Sequence, residues 1–121
     1  MAGSSLLSIR SRAVADGVSV VTVGGEIDLA TVDLLRDSLS PFLADPATTL
    51  LVCDLSEVKF LACSGLSVLL DAQTTLSARG ARLSVVATSP AVLRPVMVTG
   101  LRDMMRVQPN LSAALTQSTV D

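Results

Sequence analysis

Residues 49–79 read TLLVCDLSEVKFLACSGLSVLLDAQTTLSAR, and a change of rhythm within them decides the fold class. Thr49 to Cys53 is a short continuous apolar run that ends at Asp54. A strand with one wet face alternates polar and apolar side chains, whereas an unbroken run marks a strand covered on both faces. From Ser64 to Arg79 the spacing becomes helical. Leu66, Leu69, Leu70 and Leu76 fall on one side, and Ser64, Ser67, Asp71 and Thr75 on the other. Such a stripe faces a core, and Gly80 ends it. Asp54 and Glu57, between the two segments, read as a solvated loop, because no acid–base partner accompanies the carboxylates.

Toward the N-terminus, Leu7, Ile9, Ser11 and Ala13 alternate onto one face of a strand. Ala15-Asp16-Gly17 then supplies an Asp-Gly hairpin turn. Val18 to Val23 is a second β-rich run, ended by Gly24-Gly25, so the chain opens with two antiparallel strands. Val32, Leu35, Leu39 and Phe42 recur at intervals of three and four, opposite Asp33, Asp37 and Ser40. This predicts a helix capped by Asp28 or Thr31. Pro41 lacks an N–H, so the helix is expected to kink or stop at Ser40, before a loop at Asp45-Pro46.

Toward the C-terminus, Leu83 to Ala87 reads as another buried strand. Ser89-Pro90 places a capping serine and a first-turn proline at the start of a helix running through Val92, Val96 and Val98 to Gly100. Arg106-Val107 suits a short last strand, and Asn110 caps a closing helix that reaches Gln117. The order is ββαβαβα(β)α. It predicts an α/β fold whose sheet is parallel in its centre, built as one domain over residues 1–121 with flexible ends at 1–5 and 118–121.

Composition narrows the function. Of the 121 residues half are hydrophobic and 17% are charged, with two Phe, no Tyr, no Trp and no His. Few aromatics argue against base-stacking nucleic-acid modules, and a net charge of −2 with no basic stripe argues against a phosphate backbone as partner. Lack of histidine removes Ser-His-Asp and Cys-His catalysis, histidine acid–base chemistry and most metal sites. No stretch approaches the ~18 apolar residues of a membrane span. Met1-Ala2-Gly3-Ser4-Ser5 has no charged region leading into an apolar run, which points to the cytoplasm. Cys53 and Cys63 fit neither a disulfide framework nor a zinc pattern and read as two reduced thiols, one of them buried.

Nucleotide motifs are missing: Gly24-Gly25-Glu26 is not GxGxxG, and nothing matches GxxxxGK[ST]. Glu26 and Asp28, two residues apart, suit a strand end or a helix cap rather than a metal site. Val92 to Met105 reads as core or as an adaptable partner surface. Ser64 draws more interest. At the start of a helix and turned from the apolar stripe it reads as an N-cap. Exposed N–H groups and the macrodipole there also favour an added phosphate. Cys63, beside it, is a candidate for oxidation.

Gly25-Glu26-Ile27-Asp28, Val52-Cys53-Asp54-Leu55-Ser56 and Phe60-Leu61-Ala62-Cys63-Ser64-Gly65-Leu66 are followed by Gly80-Ala81-Arg82-Leu83, Ser89-Pro90, Arg94 and Gly100-Leu101. In order and spacing this set resembles the STAS-domain family of bacterial anti-sigma factor antagonists, over nearly the whole chain. The resemblance implies a mixed sheet of four to five strands with helices packed against it. It also implies a cytoplasmic, non-enzymatic phosphoprotein that regulates transcription through protein–protein interaction, without cofactor or metal, nucleic acid or membrane. Stand-alone members bind an anti-sigma factor that is also a serine kinase, and so release the sigma factor. The kinase phosphorylates a serine at the start of the second helix, which breaks the complex, and a serine phosphatase restores it. Ser64 matches that phosphoacceptor. The matching partner-binding edge comprises Glu26, Asp28, Cys63, Ser64, Gly65 and Ser67. Family substrates commonly carry Asp-Ser-Ser-Gly where this chain has Ala62-Cys63-Ser64-Gly65. Two other roles are compatible with the resemblance: a scaffold subunit of a stressosome-like or transport complex, and a small-ligand or nucleotide-binding module with its anion site at the Ser64 helix start.

Overall fold

The Asp16-Gly17 turn joins β1 (Leu7–Ala15) to β2 (Val18–Ile27) as an antiparallel hairpin, in a computed structural model that describes residues 7–101 and 105–120. Gly17 has φ +73°, and a Cβ there would lie 2.6 Å from the Ala47 carbonyl oxygen. Only glycine meets both conditions cheaply. After the hairpin come α1 (Val32–Ala44), β3 (Leu50–Leu61), α2 (Cys63–Ser77), β4 (Arg82–Val86), α3 (Pro90–Val98), β5 (Val107–Gln108) and α4 (Leu111–Val120). The five-stranded sheet runs β1-β2-β3-β4-β5. Its first pair is antiparallel and the remaining pairs are parallel. The expected α/β order is therefore the observed one.

Alternation within each buried strand explains the unbroken apolar run. Leu51 and Cys53 face the main core with Val21, Val23, Leu83 and Val85, under α1, α2 and α3. Leu50 and Val52 face the other side with Val20 and Val86, under Ala114 of α4. Gln73 is the buried polar side chain of α2, and its Oε1 accepts the Leu83 N–H at 2.9 Å, fixing the start of β4. In α3, Val92 and Val96 are buried while Met97 and Val98 are exposed, and Met105 returns to the core. Residues 102–104 of that stretch lie outside the described residues, as do 1–5 at the expected flexible N-terminal end and 121 at the other.

Three boundaries differ most from the sequence reading. β2 continues through Gly24-Gly25 to Ile27, because both glycines stay paired on either side, with Ser8 and Leu7 of β1 and with Glu57 and Val58 of β3. β3 continues to Leu61, so Asp54 and Glu57 lie on a strand and not in a loop. The pairing of β2 with β3 shifts between Thr22 and Gly24 and again between Gly25 and Glu26, each time admitting one extra residue on β3. These bulges turn the strand, and burial then falls on Leu55, Val58 and Leu61, every third residue. Third, α1 passes through Pro41 to Ala44. Pro41 is on the exposed face, where water can satisfy the carbonyl that proline leaves without a donor. Arg79 also holds this end, its guanidinium donating to the carbonyls of Leu43 at 2.6 Å and Asp45 at 2.8 Å. At the far end α4 runs past Gln117 to Val120. Its cap is as expected, with Asn110 Oδ1 accepting the Ala113 N–H at 2.7 Å.

Candidate functional site

The C-terminal ends of β2 and β3 bring the motif residues together. Ile27 pairs with Leu61, and the Ala62 N–H donates to the Ile27 carbonyl at 2.8 Å. The loop leaving β2 and the helix leaving β3 therefore start side by side. Gly65 makes this approach possible, since a Cβ there would lie 2.4 Å from Ile27 Cγ2 and 2.9 Å from Leu61 Cδ1. Gly65 is buried, so it sets the seat of α2 and offers no surface of its own.

Asp28 is committed to its own loop. Its Oδ1 accepts the N–H groups of Ala30 at 2.9 Å and Thr31 at 3.1 Å. The buried Thr31 hydroxyl accepts the Asp28 N–H at 2.9 Å and donates to the Glu26 carbonyl at 2.7 Å. Thr31 occupies the N-cap position of α1 without a side-chain cap bond, and Asp28 Oδ1 binds only N–H groups that precede the helix, so both side chains order the loop and neither caps the first turn. The expectation that Asp28 or Thr31 caps α1 through its side chain is therefore corrected: both are used to hold the loop. Glu26, half-buried, pairs with Phe60 across the sheet. Two apolar side chains flank the site that the sequence reading did not assign to it: Leu29, 83% exposed, and Phe60, 50% exposed. A short exposed loop and a bulged strand have no period from which to read them.

At the start of α2 the expectation for Ser64 needs correction. The N-cap is Ala62, in extended conformation and with no side-chain cap bond. Ser64 is the second helical residue. Its Oγ is buried and has no hydrogen-bond partner among the described residues, so it neither caps the helix nor points into solvent. Ser67, one turn on, and Cys63, the first residue of α2, are exposed. Gly65 and Leu66 donate to the Ala62 carbonyl at 3.0 and 3.1 Å, leaving the N–H groups of Cys63 and Ser64 ahead of the first intrahelical bonds. Cys53 is the buried thiol, and burial, reinforced by the negative charge of Asp54, pushes its pKa up from 9.0 to about 12. The described residues contain no cluster of three or more His, Cys, Asp or Glu that could hold a metal. None of their helices is long and apolar enough to cross a membrane.

A family model described as the STAS domain matches residues 11–114. The anti-sigma-F factor antagonist RsfB of Mycobacterium tuberculosis is 38% identical over 101 residues, covering 84% of this chain and 81% of that protein. An anti-sigma-B factor antagonist of Staphylococcus aureus is 31% identical over 87 residues, covering 72% and 80%. The crystal structure of an anti-sigma factor antagonist from Mycobacterium paratuberculosis superposes with a TM-score of 0.83 at 38% identity, covering 92% of each chain. With a family match over most of its length, and a fold and motif geometry that agree with it, this chain belongs to the STAS domain family.

Proposed function

We propose that this protein is an anti-sigma factor antagonist. It binds an anti-sigma factor of the serine-kinase type through the end of the sheet formed by Glu26, Asp28, Cys63, Ser64 and Ser67, with Gly65 holding the helix in place. Phosphorylation of Ser64 ends the complex, and a serine phosphatase restores it. The role requires no catalysis by this chain, and an anti-sigma partner implies a cytoplasmic setting.

The observation that carries the reading is the seating of Ser64 beside the Asp28 loop, enforced by the Gly65–Ile27 contact and the bond from Ala62 to Ile27. A partner that covers the start of α2 can therefore also reach the loop leaving β2. The likeness to RsfB supports the same role. A phosphate on Ser64 would sit over the first N–H groups of a fifteen-residue helix, where the dipole favours an anion by about 0.3–1 kcal/mol. It would therefore alter the surface without unfolding the domain. Because the Ser64 hydroxyl is buried, a χ1 rotation must present it to the kinase.

The test is co-purification of the full chain with each anti-sigma factor of its source organism, followed by incubation with ATP and intact-mass measurement. Stable capture of one such factor, a gain of one phosphate on Ser64 and loss of the complex support the role. Failure to bind any of them overturns it, and binding without phosphate transfer removes the kinase switch while leaving antagonism.

A further inference from the structure

The free edge of the sheet is β1, nine residues long, and among the described residues only β2 pairs with it. Alternate residues of an edge strand turn their N–H and C=O groups outward, a ready template for another strand. Natural edges are commonly short or bulged. Here pairing is regular from Leu7 to Ala13, and the irregularity comes only between Ala13 and Ala15.

The two faces of this edge differ in chemistry. On one, Leu7, Ile9 and Ser11 join Leu34, Pro41 and Phe42 of α1 around a groove of about 550 Å³. Leu34 stands 54% exposed at its rim. On the other face Arg10 and Arg12 are exposed at the outer edge of a groove whose inner wall carries Asp54 and Glu57, and neither arginine forms an ion pair among the described residues. We infer that β1 accepts an extended segment of a partner protein as an added strand, one that alternates apolar side chains over the α1 groove with acidic side chains beside Arg10 and Arg12.

Charge decides between this occupant and a second copy of the chain. Two β1 strands paired antiparallel about Ser11 would set Arg10 against Arg12 twice, and like charges directly opposite are destabilising. A one-residue slip would turn the apolar residues to the wrong face. A carboxylate-bearing strand meets neither obstacle. The arginines thus deter self-pairing while favouring acidic strands, with backbone bonds supplying affinity and alternate side chains specificity. The surface lies along the side of the domain, with Leu7 pairing Gly25 and the strand running away from Ile27. It can hold one partner while the Ser64 end exchanges another.

The probes are a short fluorophore-bearing peptide of alternating Glu and Val and its Lys–Val counterpart, titrated with the full chain and followed by anisotropy. The acidic peptide is expected to bind with Kd below about 1 mM and about tenfold or more tighter than the basic one, shifting the backbone amide resonances of β1. Replacing a central Val of the peptide by Pro should abolish binding. Arg10→Glu with Arg12→Glu should reverse the charge preference, and Leu34→Asp should weaken binding at unchanged fold, checked by circular dichroism. Equal binding of both peptides, tolerance of the proline, resonance shifts confined to another face, or a concentration-dependent dimer abolished by the β1 charge reversal would each overturn the inference.

Discussion

Ile27 and Gly65 are packed so closely that a side chain on Gly65 would begin 2.4 Å from Ile27 Cγ2. No real Cβ tolerates that distance, so α2 rests directly on the ends of β2 and β3. Gly65→Ala is therefore expected to destabilise the protein by about 1–3 kcal/mol through overpacking, despite the ~1 kcal/mol that alanine gains in helix propensity. Urea unfolding measures it. Ile27→Ala alone should cost about 2–5 kcal/mol. Combined, the added methyl enters the vacated space, and the pair should be less destabilising than the sum by roughly 0.5–3 kcal/mol. Simple additivity would mean that this contact does not seat the helix.

Ala62 occupies the N-cap of α2 without an acceptor to offer its first N–H groups. Ala62→Asp supplies one, and should raise stability by about 0.5–2 kcal/mol. It also restores the acidic residue that family substrates commonly carry. Under the proposed function the variant should be phosphorylated at Ser64 at least as fast as the parent. An unchanged unfolding midpoint would show that the cap position is not as described.

How far the fold was legible follows from where the spacing was regular. Val32, Leu35 and Leu39 of α1, and Leu66, Leu69 and Leu76 of α2, are buried as their helical intervals require. Leu50 to Cys53 are buried on both faces of β3. Beyond Asp54 the bulges replace a two-residue period with a three-residue one at Leu55, Val58 and Leu61, and a local rule cannot register a pairing shift made by the neighbouring strand. Pro41 misled because its cost depends on whether the orphaned carbonyl meets water, a tertiary fact. Ser64 misled for a related reason. Residue type favoured serine as cap, while the true boundary is set by the bond from Ala62 to Ile27, made between segments far apart in sequence. The site as an ensemble was legible only as a set of motifs in order.

Cys53 couples stability to alkaline pH. Its folded pKa, raised by burial and by Asp54 to about 12, exceeds the unfolded value of 9.0. The folded thiol holds its proton where the unfolded one has released it. The contribution is thus complete below pH 9 and is lost progressively as pH rises toward 12, with a limiting slope of about 1.4 kcal/mol per pH unit. Denaturant unfolding between pH 8 and 11 should decline in the parent and flatten in Cys53→Ala. Equal slopes in both would assign the effect elsewhere. Thiol labelling gives a parallel check, since exposed Cys63 should react in the native protein and Cys53 only on unfolding.

The buried, unpartnered Ser64 hydroxyl makes the two obvious substitutions there diverge. Ser64→Ala removes no hydrogen bond, so stability should change by no more than about 0.5 kcal/mol and in the favourable direction if at all. Under the proposed function it should still capture an anti-sigma partner but accept no phosphate. Ser64→Asp cannot keep a carboxylate where the hydroxyl lies; it must swing outward toward the first N–H groups of α2, where the dipole favours it by roughly 0.3–1 kcal/mol. The free protein should fold. In a complex, that carboxylate faces a surface shaped for neutral serine, and such mismatched interface charges cost on the order of 2–5 kcal/mol, or about 30-fold or more in affinity. Unfolding curves and partner titrations on both variants separate the effects. A large loss of stability in Ser64→Ala would mean the hydroxyl has a partner after all. Equal partner affinity for both variants would place Ser64 outside the interface and leave its burial a matter of packing alone.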